Sequence, residues 1–174
     1  MTPAEMYTKL RSMDMDSVPP DDLEKLSADD APELVLKVAA QSLQKVAAYL
    51  ANNEELGFGS LMCLSGLDLG EELQVVYHLA SIKHKHKLTL KVTVPKASPE
   101  VPTVEGVWPT AGWHEREAFD LFGIEFPGHS DLRRILMPED WEGHPLRKDY
   151  KPPMDYRGIP VLPREESPDS AAEL

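Results

Sequence analysis

The sequence predicts an α+β domain: a small mixed or antiparallel sheet of about four strands packed with helices, followed by an extended Pro-rich C-terminal segment. Three observations predict it. Three runs between residues 58 and 94 are rich in apolar residues and are separated by turn formers. A run just upstream repeats its apolar residues at helical spacing. From Gly128 onward Pro recurs at 138, 145, 152, 153, 160, 163 and 168, and little apolar periodicity remains. The chain therefore divides into an N-terminal helix and acidic linker (1–32), an α+β domain (33–127) and an extended docking segment (128–174).

The elements follow in order. Thr2, Pro3 and Glu5 form a capping-box pattern with Pro at the first helical position. Met6, Leu10 and Met13 then fall on one helical face. The stretch DSVPPDDLEKLSADDAP is acidic and Pro-containing and reads as a linker with room for one helical turn. In ELVLKV (33–38), Leu34, Leu36 and Val38 alternate with Glu33, Val35 and Lys37. The clustered β-branched residues favour a strand; a helix from Asp30 to Ala51 is the alternative. Leu43, Val46, Ala47 and Leu50 form an i, i+3, i+4, i+7 stripe, the mark of an amphipathic helix.

Strand candidates follow at 58–68, 72–82 and 87–94. Gly70 turns the chain between the first two, and KHKHK (83–87) between the last two. Leu88, Leu90, Val92 and Val94 face one way, and Thr89, Lys91 and Thr93 the other. VPTVEGVWPTAG (101–112) predicts a short helical turn ended by Pro109. HEREAFDLFG (114–123) predicts a helix ended by Gly123. Beyond Gly128 the chain cannot build a core of its own, so it is either disordered or laid over something else.

Composition excludes several functions. A net charge of −12 repels phosphate backbones and argues against nucleic-acid binding. One cysteine, Cys63, permits no internal disulfide, iron–sulfur cluster or Cys-rich zinc site. Set in LMCL, it reads as a small buried hydrophobe. No apolar run spans a bilayer, and MTPAEMYTKL lacks the features of a signal or transit peptide, so the protein is expected to stay where it is made. Neither G-x-G-x-x-G, G-x-x-x-x-G-K-[ST] nor G-x-S-x-G is present, so no NAD, flavin or ATP cradle is expected.

The charged helix admits three readings. Arg116 and Asp120 are four apart and would pair on a salt-bridged face. Glu115 and Glu117 are two apart, point in different directions and cannot share a proton as a catalytic dyad. A stand-alone metal enzyme would use His114, Glu115 and Glu117, but HEREA lacks the second His of HExxH. An interface suits the mixture of Glu, Arg and Phe better. Among the other histidines, His84 and His86 alternate with lysines, whose charge opposes a metal there. LRRIL (132–136) and PEDWEGHPLRKDY (138–150) place Trp141, Leu146 and Tyr150 among charges, as in a docking strip. Arg133, Arg134, Arg147 and Lys148 would then meet a partner's carboxylates. On that reading Arg133→Glu with Arg134→Glu weakens assembly and spares the isolated fold, and a chain truncated before Gly143 folds but fails to assemble.

WHEREAFDLFGIEFPGHSDLRRILMPEDWEGHPLRKDY resembles the signature of the 30 kDa subunit family, the C subunit of NADH–quinone oxidoreductase (respiratory complex I). Glu115, Arg116, Glu117, Asp120, Leu121, Phe122, His129, Arg133, Ile135 and Leu136 fill its slots, with Arg134, Trp141, His144, Arg147, Lys148 and Tyr150 completing the interface set. Weaker likeness reaches back to about residue 33. Ser130 stands where the family commonly has Pro, which should loosen a turn. The resemblance implies a non-catalytic structural subunit of the peripheral arm. It would carry no cofactor, with FMN and iron–sulfur clusters in partner subunits. Its partners would be chiefly the large D subunit and the neighbouring quinone-site and iron–sulfur subunits. It would lie on the cytoplasmic side of the bacterial cell membrane and touch the membrane only through the complex. The same module in a ferredoxin-, F420H2- or hydrogenase-linked complex is the alternative.

Overall fold

The computed structural model describes residues 2–12, 18–28 and 31–161. Met13 and Asp30, used above for the first helix and for the alternative helix, lie outside the described residues, as does the acidic end 162–174. Helix α1 (Pro3–Arg11) starts from the expected capping box: Thr2 accepts from Glu5 N–H, and the Glu5 side chain accepts from Thr2 N–H. Its Met6 and Leu10 are each 2% exposed and belong to the main core.

The segment read as a linker is structured where it is described. A 3-10 turn (Pro20–Asp22) leads into strand β1 (Leu23–Lys25), which pairs antiparallel with β2 (Leu34–Val38). The expected four strands are thus five. Three residues are too few to show a periodicity, and β1 exists because β2 offers it a free edge. The alternation in ELVLKV holds: Leu34, Leu36 and Val38 are buried and Lys37 is exposed.

Helix α2 (Leu43–Asn52) lays its predicted stripe of Leu43, Val46, Ala47 and Leu50 into the core. Burying Leu43, Val46 and Leu50 contributes about 1.5–3 kcal/mol each. The meander β3 (Ser60–Asp68), β4 (Glu72–Ser81) and β5 (His86–Pro95) follows at nearly the expected bounds. The sheet order is β1-β2-β5-β4-β3, with β2 and β5 parallel and every other pair antiparallel. In the β4–β5 turn His84 and His86 stack and reach the carbonyls of Glu54 and Leu56. They anchor the turn to the loop after α2.

One helical turn forms ahead of Pro109, with Val107 and Trp108 N–H both bonded to Val104 O. Helix α3 (Ala111–Phe122) begins three residues before HEREAFDLFG and packs against β3. Phe122 lies on β3 at Gly66, where a Cβ would come within 2.5 Å of the ring. A short ribbon, β6 (Asp155–Tyr156) with β7 (Ile159–Pro160), closes the described chain.

Residues 128–150 contain none of these elements, yet they are fastened to their own domain. The segment runs as a strap along α3 and reaches the far ends of β3 and β5. The expectation that it takes its shape from a neighbour is corrected here: its inner half takes its shape from α3. No helix among the described residues is long and apolar enough to cross a membrane.

Candidate functional site: a charged helix under a strap

The charged residues of α3 are turned inward. Asp120 is 0% exposed. Its Oδ2 accepts backbone N–H groups from Ile135 (3.1 Å), Leu136 (2.8 Å) and Met137 (2.8 Å). Its Oδ1 accepts from Arg134 Nη1 at 2.7 Å. Burial works against the charge, but these donors outweigh it and hold the carboxyl below the usual range. The expected Arg116–Asp120 pair does not form. Arg116, 8% exposed, donates instead to the carbonyls of Arg133 and Arg134, both at 3.1 Å, and stacks on Trp113. Asp120 and Arg116 thus grip the strap from the same helix, one by its N–H groups and the other by its carbonyls.

Glu115 faces another way. Also 0% exposed, it accepts from Thr103 Oγ1 (2.5 Å) and Val104 N–H (2.9 Å). Burial raises its pKa, while these two hydrogen bonds pull in the opposite direction. His129 Nδ1 accepts from Asp131 N–H at 3.0 Å, so Nε2 carries the proton and donates to Gly112 O at 3.0 Å. Nε2 is 3.6 Å from Glu105 and 4.0 Å from Glu115. Ser130 ties the turn where loosening was expected: its N–H donates to Glu105 at 2.7 Å, a bond that Pro could not make.

The end of α3 shows what the strap does. The last four carbonyls of a helix lack partners within it. Here Gly123 N–H serves Phe119 O, and Arg134 with His144 serves Asp120 O. Leu146 N–H serves Leu121 O, and Arg147 serves Phe122 O and Gly123 O. Two guanidinium groups also lie where the helix dipole favours positive charge. Gly123 has φ +68°, and a Cβ there would come within 2.5 Å of His144 and 2.6 Å of Arg147. Gly123→Ala is therefore expected to cost about 2–3 kcal/mol in denaturant unfolding, from left-handed strain plus displaced caps.

Arg134 and Arg147 accordingly serve this chain's own backbone and Asp120, which corrects their assignment to a partner's carboxylates. Arg134→Glu would set a carboxylate against Asp120, so it tests the fold and not the docking. Arg133 differs: it is exposed and pairs with exposed Asp131 at 2.8 Å. Farther along, Lys148 N–H donates to buried Asp68, which Lys96 also binds and holds well below the ordinary carboxylate range. Trp141 donates to the Tyr150 hydroxyl at 3.0 Å. Glu117 and Leu136 face outward, Leu121 and Ile135 are half-buried, and Lys148 keeps its side chain exposed.

His114, Glu115 and Glu117 do not converge, because Glu115 turns to Thr103 while Glu117 faces outward. Among the described residues no three His, Cys, Asp or Glu side chains gather as metal ligands. Asp68, Thr103 and Glu105 are partners that the motif did not reveal. They lie on other elements, and no local spacing ties them to the signature.

The family described as respiratory-chain NADH dehydrogenase, 30 Kd subunit, matches residues 36–156. The chain belongs to this 30 kDa subunit family. Relatives named as the C subunit of NADH-quinone oxidoreductase include that of Chloroherpeton thalassium, 52% identical over 120 residues, which are 68% of this chain and 50% of the relative. That of Acidothermus cellulolyticus is 44% identical over 154 residues, 84% of this chain and 80% of the relative. The chain thus spans between half and four-fifths of the length of these two relatives. Among solved structures, a trypsin-resistant fragment (1-134) of Nqo5 matches with a TM-score of 0.59 and 26% identity, over 76% of this chain and all of that one. A chain from the membrane-bound sulfane sulfur reductase, an archaeal respiratory membrane complex, matches at TM-score 0.69 and 21% identity, over 85% of each chain, a likeness of fold alone. That family match runs from β2 through α3 and the strap into β6.

Proposed function

We propose that this chain is a non-catalytic docking subunit of the peripheral arm of proton-translocating NADH–quinone oxidoreductase. It holds the large D subunit and the neighbouring quinone-site and iron–sulfur subunits, and electrons pass through FMN and iron–sulfur clusters in those partners. It lies on the cytoplasmic side of the membrane and binds no cofactor itself. The observation that carries this reading is the division of labour along the strap and the ribbon that follows it. Its buried polar groups close internal bonds, while Leu136 (61% exposed), Met154 (79%) and Ile159 (69%) point away from the domain. Large exposed apolar side chains beside a backbone whose polar groups are bonded within the chain suit a partner's surface, since burying them leaves few polar groups unpaired.

The two buried carboxylates of α3 support a structural role. Glu115 and Asp120 are sealed from solvent and saturated with donors, so neither is placed to exchange a proton with a substrate.

Leu136→Asp combined with Met154→Asp is expected to leave thermal unfolding of the free chain within about 0.5 kcal/mol, since both are exposed. The same variant should lose most of its recovery in complexes drawn from membranes through a tag on this chain. Recovery equal to the parent chain would overturn the docking role. The identity of the co-purifying subunits decides whether NADH or another donor feeds the complex.

A further inference from the structure

Strand β3 forms one edge of the five-stranded sheet and is nine residues long. Edge strands of this length are ordinarily protected by charges, Pro or a covering element, because their outward N–H and C=O groups invite another strand. From Ser60 to Leu67 there is neither an ionisable residue nor a Pro, Cys63 aside. Met62 and Leu67 are 53% and 43% exposed, and Leu69 just beyond is 51% exposed. Among the described residues, β4 is the only strand paired with β3, and no other hydrogen bond reaches the backbone of Leu61–Leu67. Beside this edge a cleft of about 230 Å³ opens between β3 and α3, lined by Leu64, Gly66, His114, Glu117, Phe122 and half-exposed Leu146.

We infer that the outer edge of β3 is a strand-addition site, where an extended and largely uncharged segment of a neighbouring subunit joins the sheet as a sixth strand. Main-chain bonding supplies the attachment. Side chains on one face of the added strand drop into the cleft, where Phe122 and Leu146 favour an apolar residue and His114 and Glu117 accept a neutral polar one two positions along. A second copy of this chain is a poor occupant. Each copy carries −12, and two-fold pairing would bring the irregularity between Leu61 and Cys63 into the ladder twice. The inference rests on the subunit role proposed above but uses a different surface from the strap.

Amide hydrogen exchange on the full chain, free and within the complex recovered from membranes through its tag, tests it. The outward-facing amides of Leu61–Leu67 are expected to exchange freely in the isolated chain and to slow by about tenfold or more in the complex. Met62→Lys with Leu67→Lys should leave free-chain unfolding unchanged and abolish that protection. Co-purification with β3 exchange unchanged overturns strand addition and leaves the subunit role standing. Protection that appears in the free chain with concentration, together with a dimer mass, assigns the edge to a second copy and overturns the inference. Failure to co-purify at all removes both.

Discussion

Asp120→Ala is expected to destabilise the free chain by about 3–5 kcal/mol at neutral pH, the cost of removing one partner of a buried charge pair. The carboxylate collects three backbone N–H groups and Arg134 at one point, and all four donors come from the strap. Without it, Arg134 loses its carboxylate and the strap loses its tightest fixing point. Asp120→Asn should recover little, because an amide offers one acceptor oxygen and brings two new donors to a nest of donors. The pH dependence carries a sign. The folded-state pKa lies below its ordinary value, so the stabilisation is complete above the unfolded pKa near 4 and is lost as pH falls through the lower folded value. The gap between the parent chain and Asp120→Ala should therefore be full at pH 7, begin to narrow below about pH 4 and go on narrowing as pH falls through the lower folded pKa, in urea unfolding at each pH. A gap that stays constant with pH would mean that the charge of Asp120 contributes nothing.

A chain ending at Glu142 is expected to lose about 3 kcal/mol, or roughly 10 °C in Tm, before any partner is considered. The missing residues include His144, Leu146 and Arg147, which serve the carbonyls of Asp120, Leu121, Phe122 and Gly123, and Lys148, whose N–H meets Asp68. Three carbonyls of the final turn of α3 would be left to water or to fraying. Calorimetry of the truncated and full chains measures the difference. An unchanged Tm would show that the strap contributes no stability and lies on α3 only loosely. The truncation is also a poor test of assembly, since failure to join would follow from the weakened helix end alone. Substitution at exposed Leu136 and Met154 separates the two effects.

Much of the architecture was readable because its signals are local. The alternation of Leu34, Leu36 and Val38, the helical stripe of α2, the turn at Gly70 and the stop at Gly123 each need only neighbouring residues to be recognised. Strand β1 was missed because its existence depends on β2 and not on its own three residues. The charged site was legible in composition and misjudged in direction. An i, i+4 spacing makes Arg116 and Asp120 look like an exposed pair, but burial decides otherwise: each is drawn inward to satisfy backbone groups of a segment more than a dozen residues away. A strap without periodicity carries no such signal, and its polar side chains resemble those of a partner-binding tail until their acceptors are known. The lesson holds for Arg134 and Arg147, whose acceptors are this chain's own carbonyls, while Arg133 and Lys148 keep their side chains outside.

The parallel contact between β2 and β5 has a bearing on how the protein is made. Leu34 finds its sheet neighbour only at Leu88, with α2 and two whole strands between them in the chain. During translation β2 must therefore leave the ribosome with one side open and wait until the entire β3–β4–β5 meander has emerged before that side is closed. Slow, long-range closure of this kind exposes a nascent chain to misassociation. Cells with few holdase chaperones should accordingly accumulate this polypeptide in insoluble form, even where the finished domain is stable.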